Sequence, residues 1–260
     1  MKIRAHAKVN IFLKIVGTRE GYHLLSSRFM RVENLYDTLL FHKKEHAGKD
    51  FELAGEFSCP LEKNTIYKAY KLLQHSTQSK RLEHFFHEHK VIVEKAIPEF
   101  AGLGGGSSDA AAFLRLANEV CDLKLDRKTL GEIGARIGAD VPFFTAGYPA
   151  ANVSGIGEIV EPFEEEPLHI ATYTPPVACD TAKVYRQFRE HYLQHLTENE
   201  NLAKKLVTQK SADILHAYTP QTLNDLFPPA LDLYPKLQEY ATEGWFFSGS
   251  GSTFFRIEKE

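Results

Sequence analysis

The sequence predicts a two-domain α+β protein, and three observations carry that prediction. The chain opens on a strict apolar alternation, Ile3, Ala5, Ala7, Val9, Ile11, Leu13 and Ile15, which is the period of a strand. Apolar residues then recur at helical spacing, as Ala110, Phe113, Leu114, Ala117 and Val120 do. A charged, proline-ended patch, Glu164-Glu165-Glu166-Pro167, separates a first region, 1–163, from a second, 164–260, in which helices lie between strands. With 260 residues, 43% of them hydrophobic, the chain can bury one large core or two modest ones.

In the opening strand Arg4, His6, Lys8, Asn10 and Lys14 take the second face. The plain reading of that face is a solvated one, although Phe12 and Val16 interrupt it, and the length of the run predicts a bend near residues 8–10. Gly21-Tyr22-His23 reads as a turn with an aromatic tip. Strands are predicted over 28–32 and 38–43, joined through 33–37, with a short strand over 51–53 and a loop at Ser58-Cys59-Pro60. Asn64 is placed to cap a helix whose apolar face is Ile66, Ala69, Tyr70 and Leu73. Residues 75–89, with histidines at 75, 84, 87 and 89, read as hydrated surface rather than a metal site.

Val91-Ile92-Val93 is a strand, and between it and the helix over 110–120 stand four glycines in the five positions 102–106. Glycine buries no side chain and loses the most backbone freedom on folding, so these mark a place where the backbone must approach something closely. Ser107, Ser108 or Asp109 is placed to cap the helix. A strand-to-helix junction of this kind, with N–H groups at the positive end of the helix dipole, is a phosphate cradle. No Lys precedes Ser107 as a P-loop requires, and the sixth position of G-x-G-x-x-G is Ser107 or Asp109 in either frame, so neither common motif fits. A flexible linker is the remaining alternative; Leu103 and the Ala-rich helix that follows argue against it.

A helix over 127–137 ends at Gly138. Asp140, with Pro142 close behind, reads either as the N-cap of a short helix or as a carboxylate poised to act as a general base or to face magnesium. Residues 150–153 and 158–160 form a hairpin, and a strand over 169–174 ends at Pro175-Pro176. Helices are expected from 181–188 onward, including 223–227 and 230–240. The chain closes with Trp245-Phe246-Phe247, a turn Ser248-Gly249-Ser250-Gly251-Ser252 and a strand over 254–257.

A formal charge of −3 offers no general electrostatic case for nucleic acid or an acidic membrane. Cys59, Cys121 and Cys179 are scattered, which argues against disulfides or structural zinc and for a reducing compartment. With no secretion signal and no apolar run of spanning length, the expectation is a cytoplasmic protein.

Three stretches together, Ala7-Lys8-Val9-Asn10, the glycines over 102–106 with Ser107 and Ser108, and Ser248-Gly249-Ser250-Gly251-Ser252, resemble the three ordered motifs of the GHMP kinases. Lys8-Val9-Asn10-Ile11-Phe12-Leu13, Gly21-Tyr22-His23 and Gly138-Ala139-Asp140-Val141-Pro142-Phe143 are most similar to the branch acting on a cytidine diphosphate-linked methylerythritol in the non-mevalonate isoprenoid route. The resemblance implies a GHMP kinase fold, with an N-terminal domain like the second domain of ribosomal protein S5 and a shortened ferredoxin-like C-terminal domain. It implies ATP- and Mg2+-dependent phosphorylation of the 2-hydroxyl of that substrate, by a monomer or homodimer. In this reading Asp140 takes or orients the hydroxyl proton and Lys8 holds Asp140 charged and steadies the transferring group. Asn10 positions the substrate, and Gly102, Leu103, Gly104, Gly105, Gly106, Ser107 and Ser108 wrap the phosphates. Asn64, Lys95 and Asp109 fall at nucleotide-site positions; Tyr22, His23 and Tyr185 hold cytosine, with Thr181 nearby. No motif names the magnesium ligands. Glu99-Phe100-Ala101 departs from the small residues that relatives carry ahead of the loop. A sibling kinase acting on mevalonate or homoserine stays open, weighed against by the three aromatic-site residues, as does a catalytically silent metabolite-binding relative, weighed against by Lys8 and Asp140.

Overall fold

The computed structural model describes residues 1–48 and 50–258; the last two residues of the predicted second region lie outside the described residues. The chain divides into two compact units, neither of them one continuous run. The first holds Met1–Ala7, Leu35–Ile97 and Gly104–Gly147, the second Lys8–Asn34, Pro98–Leu103 and Tyr148–Glu260. The predicted boundary at 163/164 therefore falls inside the second unit. Two long strands, β1 (Lys2–Arg19) and β2 (Tyr22–Lys43), contribute residues to both.

Strand β1 continues unbroken through residues 8–10, and the expected break in β2 over 33–37 is absent. Asp37 reads locally as a turn residue, yet it is fully buried and its Oδ1 accepts from the Ala96 and Ile97 N–H groups at 2.6 and 2.8 Å. Distant partners satisfy the side chain, so the strand need not turn there. The second face of β1 is solvated at Arg4 but not from Lys8 onward: Lys8, Asn10 and Lys14 are 3%, 2% and 3% exposed. Each finds a polar partner inside, which burial of such groups requires.

In the first unit β3 (Leu53–Ala54) pairs parallel with β4 (His89–Glu94), and β4 runs antiparallel to the end of β2, with Thr38 opposite Glu94 and Lys43 opposite His89. The predicted strand over 51–53 begins only at Leu53, because Phe51 instead stacks on Tyr70 with ring centroids 4.4 Å apart. Five helices complete this unit: α1 (Thr65–Thr77), α2 (Lys80–Glu88), α3 (Gly105–Val120), α4 (Arg127–Ala135) and α5 (Val141–Ala146). Helix α2 lies in the stretch read as hydrated surface. Its Leu82 and Phe86, an i, i+4 pair, are buried, and Phe86 meets Phe41 and Phe113 in the core. No cluster of three or more metal-ligating side chains forms among the described residues.

In the second unit the predicted hairpin is β5 (Ala150–Gly155) and β6 (Ile159–Pro162), with β5 registered on β2 from Leu25↔Gly155 to Met30↔Ala150. A separate sheet has β7 (Ile170–Tyr173), β8 (Phe246–Phe247) and β9 (Phe254–Ile257), with β9 central. The helices are α6 (Thr181–His191), α7 (Leu196–Leu206), α8 (Ser211–Ala217), α9 (Pro220–Leu223) and α10 (Phe227–Leu233). The helix expected over 223–227 is instead a break. Asn224 leaves the helix to donate from Nδ2 to the carbonyls of Phe247 and Gly249, at 2.8 and 2.9 Å. The helix expected over 230–240 ends at Leu233, where Pro235 withholds its N–H, and resumes as a short 3-10 turn. Leu13, Ile15, Val184, Phe188, Phe227, Phe247 and Phe254 form this unit's core. No helix among the described residues is long and apolar enough to cross a membrane.

Candidate active site

In the first unit, the glycine stretch starts a helix rather than preceding one. Gly104 is the N-cap of α3, held at φ +71° in the left-handed region that glycine adopts without strain, and no side chain caps the helix. Ser107, Ser108 and Asp109 were expected to cap it and instead lie within its first turns. The amides that begin α3 thus carry no side-chain cap, at the positive end of a 16-residue helix. The two serines now separate. Ser108 is buried and its Oγ donates to the His6 carbonyl at 2.7 Å, whereas a Cβ added to Gly138 would lie 3.6 Å from the Ser107 Oγ. Ser107, not Ser108, is therefore the hydroxyl on the side of the turn that leads to Asp140.

Thr65 Oγ1 donates to the Gly106 carbonyl at 2.6 Å, tying the start of α1 to the start of α3, while Asn64 Oδ1 accepts from the Ile66 N–H as the predicted cap. Asp140 stands at the N-cap of α5, half-buried, but its side chain makes no capping bond. The capping alternative for Asp140 is thereby removed.

Lys95 is not a bare cation for phosphate. Its ammonium is shared by Asp37 and, at 2.7 Å, by Asp109. Burial works against the lysine's charge, but the two carboxylates outweigh it and hold its pKa above the ordinary value. Burial pushes the Asp109 carboxyl up to about 7, against the pull of Lys95 and with the push of Asp37. Asp109 Oδ2 faces the lysine and Oδ1 is buried with no hydrogen-bond partner among the described residues.

The second unit brings together a part of each motif segment: Lys8 to Asn10, Gly102 with Leu103, and the turn over 248–252. Lys8 N–H donates to the Leu103 carbonyl at 3.0 Å, and Ser248 Oγ donates to the Gly102 carbonyl at 3.0 Å. At Gly102, φ is +73° and an added Cβ would lie 2.1 Å from the Ser248 carbonyl oxygen. This explains why glycine stands there: backbone meets backbone. A Cβ on Gly249 would come within 3.4 Å of Asn10 Oδ1. Lys8 Nζ donates to that same oxygen at 2.6 Å and lies 4.4 Å from the Phe29 ring centroid. Asn10 Nδ2 donates to Ser27 Oγ at 2.9 Å. The divergent Glu99-Phe100-Ala101 approach to the loop is accommodated by an exposed Phe100 at φ +54° and by Ala101, which is buried and accepts from the Thr253 N–H at 3.2 Å.

Also in this unit, His23 and Tyr185 lie 5.2 Å apart, ring to ring, with Phe188 edge-on to the imidazole. His23 is buried and its Nε2 has no hydrogen-bond partner among the described residues. Burial first, then the Arg189 charge, lowers its pKa below the usual histidine value, so the ring stays neutral near pH 7. Tyr22 is exposed, and Thr181 exchanges a hydrogen bond with Ser250 at 2.8 Å. Sequence reading passed over Ser27, Phe29, Asp37, Arg189 and Asn224. Only Asn224 carried a local sign, as a cap-type residue inside a predicted helix.

Residues 64–148 match the family model described as GHMP kinases N terminal domain. The 4-diphosphocytidyl-2-C-methyl-D-erythritol kinase of Sulfurovum sp. (strain NBC37-1) is 51% identical over 98% of both chains, and that of Campylobacter jejuni (strain RM1221) is 39% identical over 99% of this chain and 100% of its own. A crystal structure of a 4-(cytidine 5'-diphospho)-2C-methyl-D-erythritol kinase aligns with a TM-score of 0.73 at 29% identity, covering 100% of this chain and 90% of that one. A mevalonate kinase structure, at TM-score 0.69 and 13% identity over 100% of this chain and 91% of its own, shares the fold. The two-unit α+β architecture is thus that of a GHMP kinase. Within that class the chain belongs to the family of the 4-diphosphocytidyl-2-C-methyl-D-erythritol kinases.

Proposed function

We propose that this protein transfers the γ-phosphoryl group of ATP to the 2-hydroxyl of 4-diphosphocytidyl-2-C-methyl-D-erythritol, with Mg2+. The observation that carries this choice over mevalonate or homoserine is the His23–Tyr185 pair. A buried, neutral imidazole with an unused ring nitrogen beside a phenol ring suits a flat base with a hydrogen-bonding edge, which those smaller substrates lack.

The residues present fit a nucleotide. Gly104 caps α3 with no side chain, and a Cβ on Gly106 would meet only Thr65, so the helix start is bare where phosphate oxygens would accept. Gly102, Leu103, Gly104, Gly105 and Gly106 with Ser107 would hold the phosphates, and Asn64 would border the nucleoside. Lys95 and Asp109 support the floor of that site as an ion pair. With no protein cluster able to hold a metal among the described residues, magnesium would be bound chiefly through phosphate oxygens. The bound nucleotide supplies the phosphoryl group, and its cation neutralises phosphate charge.

The protein's part is positioning and charge. Asn10 and Lys8 orient the acceptor end of the substrate, and the Lys8 ammonium stabilises charge on the transferring group. Asp140, whose side chain is not spent on capping α5, accepts the hydroxyl proton as that oxygen bonds to the γ-phosphorus and the bond from phosphorus to the β,γ-bridging oxygen breaks, releasing ADP. Tyr22, His23 and Tyr185 fix the cytidine, with Thr181 at its margin.

An assay coupling ADP release to ATP and the cytidine substrate tests this, run beside mevalonate and homoserine. Lys8→Ala and Asp140→Ala are expected to lower kcat by at least ~100-fold while the fold persists. Preference for mevalonate or homoserine would overturn the substrate, and normal turnover by either variant would overturn its role.

A further inference from the structure

We propose that Ser27 is a positioning residue for phosphoryl transfer: its hydroxyl fixes the Asn10 amide, and through that amide the ammonium of Lys8. This rests on the reading of Lys8 given above.

The bonds involved can point only one way. Ser27 Oγ lies 2.5 Å from the Phe12 carbonyl oxygen, which can only accept, so the single hydroxyl proton goes there. Ser27 must then accept at its other contact, the 2.9 Å approach of Asn10, which puts the amide nitrogen toward Ser27. The amide oxygen is left facing Lys8, and Lys8 only donates, at 2.6 Å. Both ends of the relay are fixed by chemistry, so the orientation of Asn10 follows without any choice of rotamer or tautomer. Reversing the amide would set its N–H2 against an ammonium.

The surroundings make this relay matter. Ser27 is 0% exposed, and Asn10 and Lys8 are nearly as buried, so water cannot replace a lost partner. Phe29, two residues along the same face of β2, lies beneath the ammonium at 4.4 Å. Strand β2 thus supplies both a ring under Lys8 and the hydroxyl that orients the amide beside it. Serine suits the position because it accepts and donates from one small group. Valine or alanine would leave the Asn10 amide held at its oxygen end only, so its plane could swing about the terminal torsion and carry the Lys8 ammonium with it.

Kinetics of Ser27→Val, Ser27→Thr and Ser27→Ala, with Lys8→Ala alongside, tests the assignment. Threonine and valine have nearly the same shape and differ in the hydroxyl. Ser27→Val is expected to lose ~10–100-fold in kcat with KM for ATP within ~2-fold, while Ser27→Thr keeps kcat within ~3-fold of wild type. Combining Ser27→Val with Asn10→Ala should cost little beyond Asn10→Ala alone. Ser27→Ala gives the same reading should the valine variant not fold. Wild-type kcat in Ser27→Val or Ser27→Ala, or equal losses in the threonine and valine variants, overturns the proposal. If both hydroxyl-free variants unfold while Ser27→Thr folds, the hydroxyl serves the fold rather than Lys8, and the proposal also falls. Lys8→Ala separates the two levels: if it turns over normally, the reading of Lys8 has failed, whereas a dead Lys8→Ala beside a normal Ser27→Val defeats only the assignment of Ser27.

Discussion

Arg189 Nη2 donates to the Gly21 carbonyl oxygen at 2.6 Å, so a residue of α6 holds the turn that presents Tyr22 and His23. Arg189 lies one helical turn beyond Tyr185, and the same helix therefore carries the ring proposed for cytosine and a clamp for the turn at Gly21. Arg189→Ala should raise KM for the cytidine substrate by ~3–10-fold and leave KM for ATP unchanged, as steady-state kinetics would show.

The same substitution should alter a titration. Arg189 is the second of the two causes that lower the His23 pKa, after burial, so its loss should move the His23 NMR titration up toward the ordinary 6.5. With a folded value below the unfolded one, His23 contributes stability that is fully present above about pH 6.5 and is lost as pH falls through the folded value. Arg189→Ala should narrow that window.

Two glycines of one loop should fail in different ways. Gly102→Ala sets a Cβ 2.1 Å from the Ser248 carbonyl oxygen at φ +73°, so backbone must move; thermal unfolding should show a loss of ~2 kcal/mol or more. Gly106→Ala meets Thr65 Oγ1 at an ordinary 3.5 Å, so its melting temperature should stay near wild type while KM for ATP rises.

Asp109 should make stability depend on pH. Its carboxyl is raised from 3.8 to about 7 by burial, so the folded protein binds the extra proton and stability falls as pH rises from about 4 through about 7. Asp109→Asn removes that charge and should raise the melting temperature at pH 8 relative to wild type, with no gain at pH 5. Circular dichroism melts at the two pH values decide it.

Lys14 and Asp225 form a buried ion pair, with Asp225 Oδ2 also accepting from the Ile15 N–H at 2.6 Å and Lys14 donating to the Thr222 carbonyl at 3.0 Å. Losing either partner strands a charge away from water, and Lys14→Met or Asp225→Leu should each cost about 3–5 kcal/mol. The double variant should cost less than the sum of the singles, as chemical denaturation of the full cycle would reveal.

Local chemistry made several features legible. Asn64 caps α1, the hairpin of β5 and β6 forms where its turn residues stand, and the strand under Val91-Ile92-Val93 is β4, because each depends on neighbours in sequence. Two of the errors share one cause. Asp37 and Asn224 look like turn and helix residues until Ala96, Ile97, Phe247 and Gly249 supply their hydrogen bonds from far along the chain. Leu82, Phe85 and Phe86 in α2 do stand at i, i+3 and i+4, but the charged and histidine residues around them mask a pattern only one turn long.

By itself, the sequence determined a phosphate cradle where a strand meets a helix, and its three motifs carried the resemblance to the GHMP kinases; the roles of Lys8, Asn10 and Asp140 came with that resemblance and not from their local spacing. Tertiary structure alone decided which of those groups are available. It spent Ser108 on His6, Lys95 on two carboxylates and the Gly102 backbone on Ser248, and it left the Asp140 side chain out of the cap. It also turned a strand face that reads as solvated into a buried one carrying Lys8 and Asn10. The physical reason is that burial and hydrogen-bond satisfaction are set by residues tens to hundreds of positions away, as Ser248 is from Gly102, and period and propensity carry no record of them.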